Sequence, residues 1–285
     1  MEIYVLNTGF FKLDGGAMFG VVPKSIWSRT NPSDSNNMCD WAMRSLLIKE
    51  NNKLILIDTG IGNKQDDRFF SHFSLTQTDQ LDINLNKLGF SRDDITDVFL
   101  THLHFDHCGG AIKWNKEKKI LEPAFKNAIF WSTKQHWELA INPNQREKAS
   151  FLKENILPIQ ESGQLKFIER SLHSISKWIP GIDILFVDGH TDSMMLPIIS
   201  YKDRKIVFMA DLLPSIGHIP LPYIMGYDTR PLITLKEKEV FLNNAVEEDL
   251  VLFFEHDPIN ECCTLYQTEK GPRLKKAFQF SELFN

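Results

Sequence analysis

Thr101-His102-Leu103-His104-Phe105-Asp106-His107-Cys108-Gly109-Gly110 places three histidines and one aspartate within six consecutive positions. Histidines two apart in extended backbone project to the same side and can share one cation. Asp106 and His107 then fall on a sharp turn, where they can face a second ion. Imidazole together with carboxylate suits Zn2+, and also Co2+, Mn2+ or Fe2+. Gly109-Gly110 lets the backbone fold tightly beneath the donors. Nine histidines in 285 residues is an ordinary number, and a single histidine is commonly a surface or core residue. The clustering, not the count, makes this a metal-binding segment.

Working outward, residues 96–100 read as a buried strand that delivers the cluster. Apolar runs at 53–57, 182–187, 205–209 and 250–254 read the same way, and each ends in a short polar segment. Ile57 leads into Asp58-Thr59-Gly60, Val187 into Asp188-Gly189-His190, Met209 into Ala210-Asp211, and Phe254 into Glu255-His256. Polar groups gathered at strand ends are how sheets build sites, because a rigid scaffold holds the loops there. Residues 194–200 and 205–209 form a hairpin around Lys202-Asp203-Arg204. A helix over 78–88 presents Leu81, Leu85 and Leu88 on one face and stops at Gly89. Ser132 with Gln135 opens a second helix that ends before Asn142-Pro143, and a third over 146–157 is closed by Pro158. Strands alternating with helices, plus a hairpin, give an α/β (α+β) protein. No linker or low-complexity segment interrupts 1–285, which is read as a single domain.

Bulk properties narrow the function. A net charge of −5 and a pI near 6.0 argue against a nucleic-acid partner. No apolar run approaches the ~18 residues of a membrane span, and the start MEIYVLNTGF has neither a basic nor an apolar leader region. Cys39, Cys108, Cys262 and Cys263 show no disulfide framework, so free thiols in a reducing, cytoplasmic setting are expected. His72, His136 and His173 have no motif context and are read as surface or packing residues.

The HxHxDHxGG pattern from His102 to Gly110 resembles the metal-binding signature of the metallo-β-lactamase superfamily. Supporting motifs follow in the family's order: Asp58 in LIDTG, His190 in DGHTD, Asp211 in FMADL and His256 in FEHD. The resemblance implies an αββα sandwich with two divalent metal ions, Zn2+ foremost. It implies one site of His102, His104 and His190, a second of Asp106, His107 and His256, and Asp211 bridging both, with Asp58 orienting the metal loop. It implies hydrolysis by attack of a metal-bridging hydroxide, with Asp106 moving a proton to the leaving group. Two departures bear on the subfamily. His190 is followed by Thr191-Asp192-Ser193-Met194 where many members have Pro-Gly and a second histidine, and His104 replaces the glutamate of the flavin-linked diiron branch.

The stretch from Phe10 to Lys24, DGGxMFGxVP-like at its centre, resembles the branch of N-acyl homoserine lactonases and methyl-parathion-type hydrolases. There the segment walls the pocket, which makes Met18, Phe19 and Trp27 candidate substrate contacts, with Phe105 beside the metals. Lactonases of this branch use a tyrosine near the metals to bind the substrate carbonyl. Residues 212–218 contain none, so His218 is the first candidate donor and Tyr223 the second. The expected activity is opening of an N-acyl homoserine lactone-like ring, a quorum-quenching reaction on a small, partly apolar molecule. The alternative is an organophosphate triester or aryl-ester hydrolase. A mononuclear iron sulfur dioxygenase shares the fold but would leave Asp106, His107 and His256 without a role. A nuclease fits the acidic charge poorly, and a non-catalytic binding protein would have lost donors. Relatives in the branch are often dimers, and a homodimer contact could use the same N-terminal aromatics.

Overall fold

The run Leu54-Ile55-Leu56-Ile57 is buried residue after residue, as expected of a strand covered on both faces. In the computed structural model, which describes residues 1–77, 80–170 and 175–283, it lies inside a six-stranded sheet. The order is Glu2–Asp14, Met38–Glu50, Lys53–Ile57, Asp97–Phe99, Ile129–Ser132 and Leu165–Phe167. Met38–Glu50 pairs antiparallel with Lys53–Ile57, and the last three pairings are parallel. Ile57 lies opposite Phe99 on parallel strands. Both chains therefore leave the sheet at the same edge, and Asp58 and Thr101-His102 emerge as neighbours.

The chain divides into two compact units, the first Met1–Phe11 with Met43–Arg170, the second Lys12–Ala42 with Ser171–Asn285. The first unit's core gathers Leu47, Leu56, Val98, Phe125, Phe130 and Trp137. The second unit holds a seven-stranded sheet in the order Gly271–Phe278, Cys262–Thr268, Val251–Phe253, Arg204–Phe208, Met194–Tyr201, Ile182–Val187 and Ile175–Ile179. Arg204–Phe208 and Val251–Phe253 are parallel, with Phe208 opposite Phe253. Met194–Tyr201 runs antiparallel to both Ile182–Val187 and Arg204–Phe208, so those two share a direction. Asp188-Gly189-His190, Ala210-Asp211 and Glu255-His256 thus leave one end of this sheet. The long Pro231–Glu247 helix, with Pro231 at its first turn, contacts the Cys262–Thr268 strand.

The expected strands and the 194–209 hairpin are present, each within a residue or so of its expected bounds. Three helix ends differ. The helix Lys134–Ile141 is capped by Thr133, which accepts from the His136 amide, because Ser132 still belongs to a strand. The third helix is Lys153–Glu161 and contains Pro158 instead of stopping there. Residues 145–150 form turns, and the Asn144 side chain takes up the amides of Arg146 and Glu147. The helix Gln80–Lys87 buries Leu81 and Leu85, and Thr78 lies outside the described residues. The thirteen-residue strand Met38–Glu50 was not expected, since its burial over 41–48 leaves no alternation to read. All four cysteines are buried. No helix among the described residues is long and apolar enough to cross a membrane.

Candidate functional site

In the first unit Asp58 sits at φ 55, a left-handed conformation that costs a non-glycine residue energy. The conformation aims its carboxylate into the metal loop. Oδ1 accepts from the Thr101 amide at 2.8 Å, and Oδ2 accepts from the Thr101 hydroxyl at 2.6 Å and faces His107 Nδ1 at 3.1 Å. With Nδ1–H of His107 donated to Asp58, Nε2 is the ring atom that could take a cation, and it lies 3.7 Å from Asp106 Oδ2. His102 Nε2 and His104 Nδ1 meet at 3.0 Å. Their outer nitrogens turn to the protein: His102 Nδ1 lies 3.2 Å from the Thr101 hydroxyl, and His104 Nε2 lies 4.0 Å from Glu147. The inner nitrogens of His102 and His104, and Nε2 of His107 beside the Asp106 carboxylate, are buried donors of the kind a divalent cation takes.

The loop has almost no room to move. A Cβ on Gly109 would sit 2.1 Å from the Ile61 carbonyl, and one on Gly110 would sit 2.3 Å from that of Thr59. Close approach, not an unusual φ, is what demands glycine at both positions. Lys64 donates to the Gly109 carbonyl and Arg92 to that of Gly110, the latter at 3.2 Å. Burial pushes the Lys64 pKa down to about 8. On the other side the Leu103 amide donates to His136 Nε2 at 2.8 Å, and the Phe105 amide to the Ser150 carbonyl at 3.0 Å.

In the second unit the strand ends bring His190, Asp211 and His256 together. Asp211 Oδ2 lies 3.1 Å from His190 Nε2, and its Oδ1 lies 3.1 Å from His256 Nε2. One carboxylate thus offers each of its oxygens beside a different imidazole. Ala210, at φ 39, supplies the backbone twist that turns Asp211 inward. Nδ1 of His256 donates to the Ala42 carbonyl at 2.8 Å, and Nδ1 of His190 faces Asp228 at 2.9 Å. Burial works to lower the His190 pKa, but the carboxylates of Asp211 and Asp228 outweigh it and hold it up at about 10. The His190 loop is fixed from the Pro231–Glu247 helix, where the Glu237 carboxylate accepts from the amides of Asp188 and Gly189 at 2.7 and 3.0 Å. Burial raises the pKa of Glu237.

Met18, Phe19 and Trp27 are buried in the second unit. Phe19 stacks on Trp27 at 5.2 Å and on His218 at 4.3 Å between ring centroids. His218 does not suit the donor role expected of it. Its Nε2–H donates to the Met18 carbonyl at 2.9 Å and its Nδ1 accepts from the Ser215 hydroxyl at 2.9 Å, so both nitrogens are in use. Burial drives its pKa down to about 3, which keeps the ring neutral. Tyr223 is half-buried and edge-on to Phe19 at 6.5 Å. Phe105, in the first unit, is half-buried against Phe69 and Phe73 at 5.4 and 4.8 Å. His72 is exposed, His136 is buried in the backbone contact described above, and His173 lies outside the described residues.

Asp228, Glu147 and Glu237 were not anticipated. Each acts from behind a donor or its loop, far away in sequence, and no motif marks them. The pattern Asn144-x-x-Glu147 resembles a capping box and could have drawn attention to Glu147, though only as a local turn.

Residues 44–256 match the Metallo-beta-lactamase superfamily. An N-acyl homoserine lactonase of Bacillus cereus is 25% identical over 248 residues, covering 82% of this chain and 87% of the relative. A probable metal-dependent hydrolase from Staphylococcus aureus superposes with a TM-score of 0.87 at 27% identity, covering 98% of this chain and 96% of the other. A dizinc quorum-quenching lactonase, crystallised with an N-hexanoyl-L-homoserine product, has a TM-score of 0.78 at 24% identity, covering 97% and 95%. The chain belongs to the metallo-beta-lactamase superfamily and is a hydrolase of that fold.

Proposed function

We propose that His102, His104, Asp106, His107, His190, Asp211 and His256 together hold two divalent cations, most naturally Zn2+, and that the chain opens the ring of an N-acyl homoserine lactone-like substrate. The observation that carries this reading is Asp211, whose two oxygens each stand beside the Nε2 of a different histidine, the display expected of a bridging carboxylate. When bound, the cations supply a nucleophile at neutral pH and electrophilic help to the ester carbonyl. The chain's own groups do the rest. Asp58 and Asp228 hold the imidazoles of His107 and His190 in the coordinating tautomer. Asp106 hands a proton to the leaving alkoxide. Tyr223 takes over as donor to the substrate carbonyl, because the nitrogens of His218 are engaged. Met18, Phe19, Trp27 and Phe105 provide the apolar wall for the acyl portion. The lactonase relative from Bacillus cereus and the product-bound neighbour support this substrate class.

The test is proton release from N-hexanoyl homoserine lactone by Zn2+- or Co2+-loaded protein, beside His104→Ala. Ring opening in the first and its loss in the second is the expected result. A metal-replete protein that opens no lactone of any acyl length, yet releases nitrophenol from a phosphotriester, would overturn the lactonase reading in favour of the phosphotriester alternative.

A further inference from the structure

The Pro231–Glu247 helix carries a lysine into the interior of the second unit: Lys238 is 1% exposed. Its Nζ donates to the backbone carbonyls of Tyr223 at 2.8 Å, Pro220 at 3.0 Å and Leu221 at 3.4 Å. A buried ammonium is costly unless every donor is satisfied, and an aliphatic side chain would fill a helix–sheet interface at less expense. All three acceptors belong to one short turn, which also bears the Tyr223 side chain. Beyond the turn the Gly226 amide donates to the Ala17 carbonyl at 2.8 Å. Ala17 lies in the Gly15–Phe19 helix with Met18 and Phe19, the residues assigned above to the substrate wall.

We infer that Lys238 is a positioning residue for the substrate, its ammonium fixing the 220–223 turn and, through it, the Tyr223 hydroxyl and the Gly15–Phe19 helix. The inference rests on the proposed role of Tyr223 at the substrate carbonyl. Three N–H groups on one tetrahedral centre match three carbonyls, and a neutral amine has only two. The charged groups that bear on Lys238 are few. Asp228 favours its charged form, neutral His218 lies close enough to feel its charge, and the neighbouring Glu237 turns away to the Asp188 and Gly189 amides. Burial meanwhile brings the Lys238 pKa down to about 7.

The experiment compares the metal-loaded full chain with Lys238→Met, which keeps the stem and removes the donors, and with Lys238→Gln, which keeps two of them. Amide hydrogen exchange over 217–226 should quicken about tenfold in the methionine variant, with the glutamine variant between, as expected for loss of charge-assisted hydrogen bonds. Exchange over 204–213 should not change. KM for N-hexanoyl homoserine lactone should rise about tenfold while kcat falls far less, and the KM effect should largely vanish in a Tyr223→Phe background. In the wild type KM should climb as pH passes through 7–8, and in Lys238→Met it should not. Wild-type exchange over 217–226 in both variants, or a KM penalty fully additive with Tyr223→Phe, would overturn the inference. Failure of the wild type to open any lactone would count against the proposed function instead; the exchange result and the KM for a nitrophenyl ester would then decide the role of Lys238.

Discussion

The first unit builds its donors from a single hexapeptide, His102 to His107, while the second collects His190, Asp211 and His256 from three separate strand ends. The hexapeptide is held by immediate contact: the Asp58 carboxylate behind it, Gly109 and Gly110 jammed against the backbone of Ile61 and Thr59, and Lys64 and Arg92 on their carbonyls. The dispersed set is held at longer range by sheet register, by Asp228, and by Glu237 on a helix that begins after the last of its three loops but one. A compact motif is tolerant of the fold around it but intolerant of a single added atom. A dispersed set has the opposite weakness, since its geometry depends on partners that lie tens of residues away.

Substitutions can break or sharpen this contrast. The largest effect is expected at Asp211, where Asp211→Ala removes the carboxylate that meets both second-unit imidazoles. Lactone opening should fall by more than the ~10–100-fold typical of losing an outer partner, and dialysed protein should retain less metal by elemental analysis. Next comes Gly110→Ala, whose methyl would meet the Thr59 carbonyl at 2.3 Å. Displacing the loop should cost about 1–3 kcal/mol in urea denaturation and, through misplaced donors, about 100-fold in activity. A variant as stable and active as wild type would mean that the first-unit loop can yield.

Asp58→Asn and Asp228→Asn test the two outer carboxylates against each other. Each should weaken metal binding about 10–100-fold in a competition with a chromogenic chelator. Asp58→Asn should also lower stability, because Asp58 accepts from both the amide and the hydroxyl of Thr101. A further effect is in pH. Burial depresses the folded pKa of Lys238 to about 7 from an ordinary 10.5, so between those values the unfolded chain binds more protons than the folded one. Stability from this group therefore rises with pH across that window, by at most about 1.4 kcal/mol per pH unit. The wild-type urea midpoint should therefore gain on that of Lys238→Met between pH 7 and pH 9.

The same contrast explains what was legible in the sequence. The 102–107 cluster announces itself because spacing alone brings its donors together, and Ile57-Asp58 or Phe208-Met209-Ala210-Asp211 could be read as strand ends with polar tips. His190 and His256 are read as polar strand tips in the same way, and the superfamily pattern adds which donors share a site. Asp228, Glu147, Glu237 and Lys238 were illegible, because nothing local distinguishes a buried charge from a solvated one until the fold places it. His218 shows the converse: adjacency to the Asp211 segment suggested a substrate donor, whereas the fold uses both its nitrogens to pin Met18 and Ser215. Pro158, read as a stop, lies within the Lys153–Glu161 helix.

On the proposed function, these two donor sets serve one pair of cations joined by Asp211. Electron paramagnetic resonance of the chain loaded with Co2+ tests it most directly. Two equivalents should bind per chain with a spin-coupled signal that Asp211→Ala uncouples; two magnetically independent ions in the wild type, or coupling that survives the loss of Asp211, would contradict a shared pair.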